Sequence, residues 1–246
     1  MGKTKANYNF KSSGFPMVSE KTTFESILGM FPVVFYDDFI GAAGGSVFDG
    51  TMKWNIVDVG ATSTAAIVAN SSGGQFLLHL AAPNEAEDEV LYQNDNKTFD
   101  VGEGLIFECR LKMAVVPGTA VTAVFGMCGD HNLDKDTVAN QAWFRLQASA
   151  VLLTESDDAT NDNNDIATGI TLTTAAYHIF RIDFTTITDV RFYVDGVRVS
   201  SATTFDMSNL NAAAQQMQPY FSLDKATGTG LGDLNIDYVK IFSDRT

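Results

Sequence analysis

Residues Tyr177–Val199 read YHIFRIDFTTITDVRFYVDGVRV. His178, Phe180, Ile182 and Phe184 alternate with Ile179, Arg181 and Asp183, the period of two of a half-buried strand. A second run sets Val190, Phe192 and Val194 against Arg191, Tyr193 and Asp195. Asp195-Gly196 then separates it from Val197-Arg198-Val199. Asp-Gly between alternating apolar residues predicts a type I′ hairpin, because that turn needs φ > 0 at both central positions. The segment therefore supplies three strands and fixes an antiparallel sheet.

Outward from this hairpin, strand-like runs alternate with turn clusters from Pro32 onward, the pattern of an all-β fold. Candidate strands are Val33–Phe39, Lys53–Val57, Ala65–Ala69, Gln75–Ala81, Leu105–Met113, Val121–Cys128, Trp143–Leu146, Ala150–Thr154, Gln218–Leu223 and Leu234–Phe242. Ser208–Met217, rich in Ala and Gln, has room for a helical turn. Leu105, Phe107, Cys109, Leu111 and Met113 mark an inward face. Cys109 and Cys128 fall on candidate strands that follow one another, and two buried free thiols fit better than a disulfide.

The chain has 246 residues, 45% of them hydrophobic, with 18 Phe, enough for one large β-sandwich. Its net charge of −14 argues against direct nucleic-acid binding, which needs a basic face. Residues 1–32 hold Lys3, Lys5, Lys11 and Lys21 against Glu20 and Glu25, a net of +2 that leaves −16 for the remainder. A mildly basic arm ahead of an acidic body is a layout suited to docking. MGKTKANYNF lacks the apolar core of a signal peptide, and Ala114–Gly129 is too short and too broken for a membrane helix. A chain with neither leader nor membrane span is expected.

The division expected is an arm over 1–32 and a sandwich over 33–246. In the arm, Phe24, Ile27, Leu28 and Phe31 share the spacing of one helical face behind Thr22 or Thr23 as N-cap. So short a helix needs a surface to pack on, either its own domain or a neighbouring subunit. With Phe10 and Phe15, these residues are the candidate partner-binding set.

Three signatures resemble the concanavalin A-like jelly roll shared by legume lectins, laminin-G modules and certain endo-glucanases. They are YHIFRI (177–182) with FYVDG (192–196), the closing LNIDYVKIF (234–242), and the opening FYDDF (35–39), which in such folds pairs near the closing strand. The resemblance covers roughly residues 33–243. It implies a two-sheet antiparallel jelly-roll sandwich carrying an N-terminal extended arm. AWFR (142–145), TESDD (154–158) and the central hairpin are further similar to laminin-G-like structural proteins of tailed phages. That likeness implies a virion component, a capsid decoration or cement protein, and no enzyme.

The glucanases of this fold place Glu-x-Asp-x-Glu on one strand, so that alternation sets the carboxylates on one face. The nearest match here, Glu155-Ser156-Asp157-Asp158-Ala159, has Ala159 where the acid should stand. Glu85-Ala86-Glu87-Asp88-Glu89 alternates carboxylates but follows Pro83-Asn84, and reads as a solvated loop. Asp157, Asp158, Asp162 and Asp165, in the loop Glu155–Asp165, are oxygen donors of the type Ca²⁺ takes; a solubilising polar turn is the other account. No other cofactor is implied. His79, His131 and His178 are dispersed, as structural histidines are. Trp54 and Trp143 are candidate sugar platforms, with Trp143 better placed as core.

The function expected is that of a non-enzymatic phage particle protein, homo-oligomeric on the capsid surface. Its arm would anchor it to the major capsid protein or other virion proteins. The other class is a lectin-like glycan-binding module or adhesin, with Ca²⁺ as its ligand.

Overall fold

The computed structural model describes the backbone of Asn7–Phe10, Pro16–Ser19 and Ser26–Ile27, then residues 33–40 and 54–243 except Ala175. The first three segments are strands β1 (Asn7–Phe10), β2 (Pro16–Ser19) and β3 (Ser26–Ile27), joined as an antiparallel three-stranded sheet. The remainder forms two eight-stranded sheets.

The first sheet contains β4 (Val33–Asp37), β6 (Thr64–Ile67), β7 (Phe76–Leu80), β10 (Ile106–Val115), β15 (His178–Asp183), β16 (Arg191–Val194), β17 (Val197–Val199) and β19 (Gly232–Ser243). Its order is β17-β16-β15-β10-β19-β7-β6, and β4 follows β7 along the same side of β19. The second contains β5 (Asn55–Val59), β8 (Glu87–Tyr92), β9 (Phe99–Asp100), β11 (Val121–Cys128), β12 (Gln141–Gln147), β13 (Val151–Asp157), β14 (Asp162–Thr171) and β18 (Gln216–Lys225), in the order β14-β13-β12-β11-β18-β8-β5 with β9 on β18. Every pairing is antiparallel. This is the two-sheet jelly-roll sandwich.

The central hairpin forms as its residues dictate. Asp195 and Gly196 take φ of 48° and 76°, the left-handed values of a type I′ turn. Asp195 also accepts from the backbone N–H of Ile179 at 2.9 Å and lies 2.7 Å from His178 Nδ1. Phe180, Ile182, Phe192 and Val194 project inward onto Phe125 and Phe144 of the opposite sheet, with Phe180 meeting Phe125 edge-on at 4.7 Å between ring centres. Each such fully buried side chain contributes about 1.5–3 kcal/mol. The opening strand pairs with the closing one as the resemblance implies, Val239 opposite Asp37.

Of the local expectations, the helical turn near Ser208–Met217 and the two buried free thiols hold, and others are revised. Ser26–Ile27 is a strand, with Ile27 opposite Val18, where the spacing predicts a helix. A helix this short gains little until its first turn is complete, whereas a strand partner satisfies the backbone at once. Phe10 ends β1 opposite Pro16; Phe15, Phe24, Leu28 and Phe31 lie outside the described residues. Near Ser208–Met217 a single turn forms, in which Gln215 N–H donates to the Asn211 carbonyl and Asn211 Oδ1 caps Ala213 and Ala214. Cys109 and Cys128 are buried free thiols in opposite sheets rather than on paired strands.

The largest revision concerns Glu87, Asp88 and Glu89, which are buried in β8 instead of solvated. Lys225, Glu87's register partner on β18, lies 3.2 Å away. Burial pushes the Glu89 carboxyl up to about 9, with Asp58 and Asp88 adding like charge, so that it is neutral at pH 7.

Candidate functional site

The chemistry of the molecule gathers on the outer face of the second sheet. Alternation along β11, β12 and β18 sends Phe125, Phe144 and Phe221 into the sandwich and Val124, Trp143 and Tyr220 the other way. With Val90, Tyr92, Cys128 and Val138 these form a second apolar cluster, in which Trp143 stacks on Tyr220 at 6.1 Å. Such a cluster on an outer face needs a cover. The β11–β12 connection, residues 129–140, supplies it.

Gly129 and Asn140 close the base of that loop with a 2.8 Å backbone hydrogen bond. Asp134 caps a single 3₁₀ turn at Lys135–Thr137 by accepting from Asp136 N–H. His131 is tied twice: its backbone N–H donates to Asp95 Oδ1 at 2.8 Å, and its Nδ1 lies 2.7 Å from the Tyr220 hydroxyl. Burial and the neighbouring Lys135 charge hold the His131 imidazole below its ordinary pKa.

Lys135 is the central pin. Its Nζ lies 3.4 Å from Asp88 Oδ1 and 3.8 Å from Asp224 Oδ1, and donates to the carbonyls of Asn132 and Leu133. Asp88 and Asp224 face each other in register across β8 and β18. Burial pushes Asp224 up to about 7, against the pull of Lys135. A second pin is Asp136, 2.5 Å from Arg145 Nη1; the same nitrogen donates to Glu155 Oε1 at 3.0 Å. Glu155 Oε2 accepts from Trp143 Nε1 at 2.7 Å. Burial raises the Glu155 carboxyl to about 6, opposed by Trp143 and Arg145.

A cavity of about 770 Å³ remains beside the loop, bordered by Val57, Thr122, Leu133, Lys135, Gln147 and Asp224. Asp224 Oδ1 is buried there without a hydrogen bond.

The site residues expected from sequence fall as follows. The stretch Glu155–Asp165 is a hairpin, not a loop: β13 ends at Asp157, β14 begins opposite it at Asp162, and Ala159 occupies the turn at φ 66°. The strand thus stops short of the position where the glucanase pattern puts its third carboxylate. Asp157 Oδ1 accepts from Ala159 N–H, and Asp162 Oδ2 from the Asn164 amide. Asp158 accepts from the backbone N–H groups of Thr160, Asn161 and Asn209 and from the Asn161 and Asn209 side chains. Burial alone would raise its carboxyl, but these donors hold it below the usual range. Asp165 is exposed at φ 52°. Among the described residues no three or more His, Cys, Asp or Glu side chains converge as a metal site would require. With Asp158 saturated by donors, this set does not fit Ca²⁺.

Trp54 and Trp143 are 1% and 0% exposed, so neither is a sugar platform. Trp54 lies in the main core with its indole N–H on Asp37, and Trp143 is core as expected, in the smaller cluster on the outer face of the second sheet. Sequence reasoning missed the covering loop. Its one visible signal was Asp134-Lys135-Asp136, a cation between acids following a strand of alternating outward residues.

No protein-family model and no curated protein matches the chain. Solved structures do. A protein of unknown function from Shewanella oneidensis MR-1 superposes with TM-score 0.58 at 13% identity, covering 85% of this chain and 86% of that one. A β-1,3-glucanase from Mycobacterium marinum gives 0.54 at 14%, covering 87% and 99%. The carbohydrate recognition domain of Emp47p gives 0.53 at 10%, covering 86% and 95%. At these identities the likeness establishes the concanavalin A-like lectin and glucanase fold, which hosts more than one function.

Proposed function

We propose that this protein is a non-enzymatic structural component of a viral particle, a capsid decoration protein whose sandwich is carried on an N-terminal attachment segment. The observation that carries the non-catalytic part is Lys135. Its ammonium lies within 4 Å of both facing carboxylates, Asp88 and Asp224, with a side chain 2% exposed. A retaining glycosidase needs two carboxyl groups about 5 Å apart on an open face, one of them free to attack. Here the carboxylates hold down a loop, and Glu155, on the same face, has both oxygens occupied.

Attachment through the leading segment is supported by its separate three-stranded sheet and by its net +2 ahead of an acidic body. The acidic body keeps neighbouring particles apart. The partner in this reading is the major capsid protein. Removing residues 2–31 should leave the circular dichroism of the sandwich intact and abolish co-purification with particles. Undiminished co-purification would sink the attachment role.

The cavity beside the loop favours a second reading, a glycan-binding module. Its mix of apolar wall and a few polar groups is how sugar-sized sites are built. A glycan array with and without chelator separates the two. A decoration protein shows no specific sugar, and chelator sensitivity would restore a role for Ca²⁺.

A further inference from the structure

Two features at opposite ends of this molecule match in chemistry. The first is the leading sheet. Its register sets Tyr8 opposite Val18, Val18 opposite Ile27, and Phe10 opposite Pro16. Alternation gives those five residues one face of the sheet, and Asn7, Asn9, Met17, Ser19 and Ser26 the other. A sheet of four, four and two residues holds together only when its apolar face is covered. Among the described residues none of its strands pairs with the sandwich. The segment that carries it, residues 1–32, is the basic part of the chain, at +2 ahead of an acidic body.

The second feature is the cavity beside the covering loop. Its rim is apolar and open, with Val59 50% exposed and Leu133 61%. Acids outnumber cations on its lining by five to three, and stay in excess even with Asp224 neutral. The three cations, Lys135, Arg145 and Lys225, are buried, whereas Asp134 is exposed. Asp136 also stays mostly exposed while paired with Arg145. An incoming segment therefore meets apolar surface edged by negative charge.

The two cannot meet within one chain. β4 starts with Val33 opposite Ser243, at the far end of β19. The cavity lies where β19 begins, since Gly232 sits against the side chains of Leu223 and Val121, next in sequence to Asp224 and Thr122 of the lining. The twelve residues of β19 span about 36 Å. From Ile27 to Val33 the chain reaches at most about 22 Å. Ile27 is thus out of reach of its own cavity.

We propose that the leading sheet of one copy docks in the cavity of the next, covering its apolar face on Val59 and Leu133 while the basic segment faces Asp134 and Asp136. The two surfaces differ, so the contact is head to tail and closes as a ring or runs on as a chain. It needs neither capsid protein nor sugar, and so stands or falls apart from both readings above. On a particle, a capsid subunit would compete for the same segment.

Sedimentation velocity of the full chain, over a range of concentrations at low and high salt, tests it. The expected result is concentration-dependent association that weakens as salt rises. Val59→Lys with Leu133→Lys sets like charge at the rim and should raise the dissociation constant about tenfold or more. Tyr8→Ser with Phe10→Ser should do the same from the other half. Mixing these two variants should give a heterodimer that grows no further, because one keeps the segment and the other the cavity. Val59→Ser with Leu133→Ser repeats the test without added charge, and thermal unfolding checks that each variant folds. A monomer at every concentration in low salt overturns the proposal. So does association that either pair of substitutions leaves unchanged, as it would be if leading sheets met each other.

Discussion

Lys225 and Glu87 form an ion pair at 3.2 Å in which neither side chain exposes any surface. They are register partners on β18 and β8, on the inner side of the sheet. Lys225 Nζ also donates to the carbonyls of Ala81, Pro83 and Gly230, and Glu87 Oε2 accepts from Ala81 N–H. The pair thereby ties two loops at one end of the sandwich. Removing one partner strands the other charge in the interior, a loss of about 3–5 kcal/mol, whereas an apolar pair of similar volume restores much of it. Lys225→Met should show that loss in denaturant unfolding, and Lys225→Met with Glu87→Leu should recover at least half. Equal losses for the single and double variants would contradict this account.

Stability should fall as pH rises across the neutral range, opposite to what salt-bridged carboxylates give. Burial lifts Glu155 to about 6, Asp224 to about 7 and Glu89 to about 9, from ordinary values of 4.5, 3.8 and 4.5. A carboxyl raised in the folded state binds its proton more tightly there than when unfolded. Its contribution is complete below the unfolded value and is lost as pH climbs through the folded one. His131, held low, acts in the other direction around its ordinary 6.5 and offsets part of the slope. Asp158 and Asp195, also held low, withdraw stability below about pH 4. The melting temperature should therefore peak near pH 4 and decline towards pH 9. Glu89→Gln should flatten the alkaline limb, and an unchanged slope in that variant would place the cause elsewhere.

The covering loop depends on Lys135. Replacing it with alanine leaves Asp88 and Asp224 facing each other without their shared cation, at roughly 3 kcal/mol. The loop should then lift from Trp143, which is fully buried in the intact protein. Acrylamide quenching reads this directly: low in the wild type, where Trp54 and Trp143 are both shielded, and raised in Lys135→Ala. Trp143→Phe in that background should remove the increase.

What the sequence discloses depends on how far away the deciding partner lies. Asp195-Gly196 and the strands around it are legible because turn and alternation are properties of neighbours in the chain. Glu87-Asp88-Glu89 is misread from sequence because its neutralising groups, Lys225 and Lys135, arrive from distant strands and loops. Trp143 and Phe144 face opposite sides of β12, yet both are fully buried. Alternation separates the two faces of a strand but does not say that a later loop will cover the outer one. For the same reason Glu155 is recognisable as a carboxylate on a strand, but its engagement by Trp143 and Arg145 is not. In the leading segment, helical spacing of Phe24, Ile27, Leu28 and Phe31 competes with the pairing of Ser26–Ile27 on β2, and pairing prevails.

The two cysteines should be chemically silent until the protein unfolds. Cys109 lies between the sheets and Cys128 beneath the covering loop, both with no exposed surface. Burial pushes both thiols well above their ordinary value, Glu108 adding to the effect at Cys109 and Asp95 at Cys128. The thiolate is the reactive form, so both pKa and access oppose attack. A thiol reagent such as Ellman's should label neither in the native state and both in denaturant. The two differ in what shields them. Opening the loop by Lys135→Ala should hasten modification of Cys128 while leaving Cys109 slow, since only the former sits under residues 129–140. Equal acceleration at both would mean that the variant loosens the whole sandwich, and the loop would then be no separate cover.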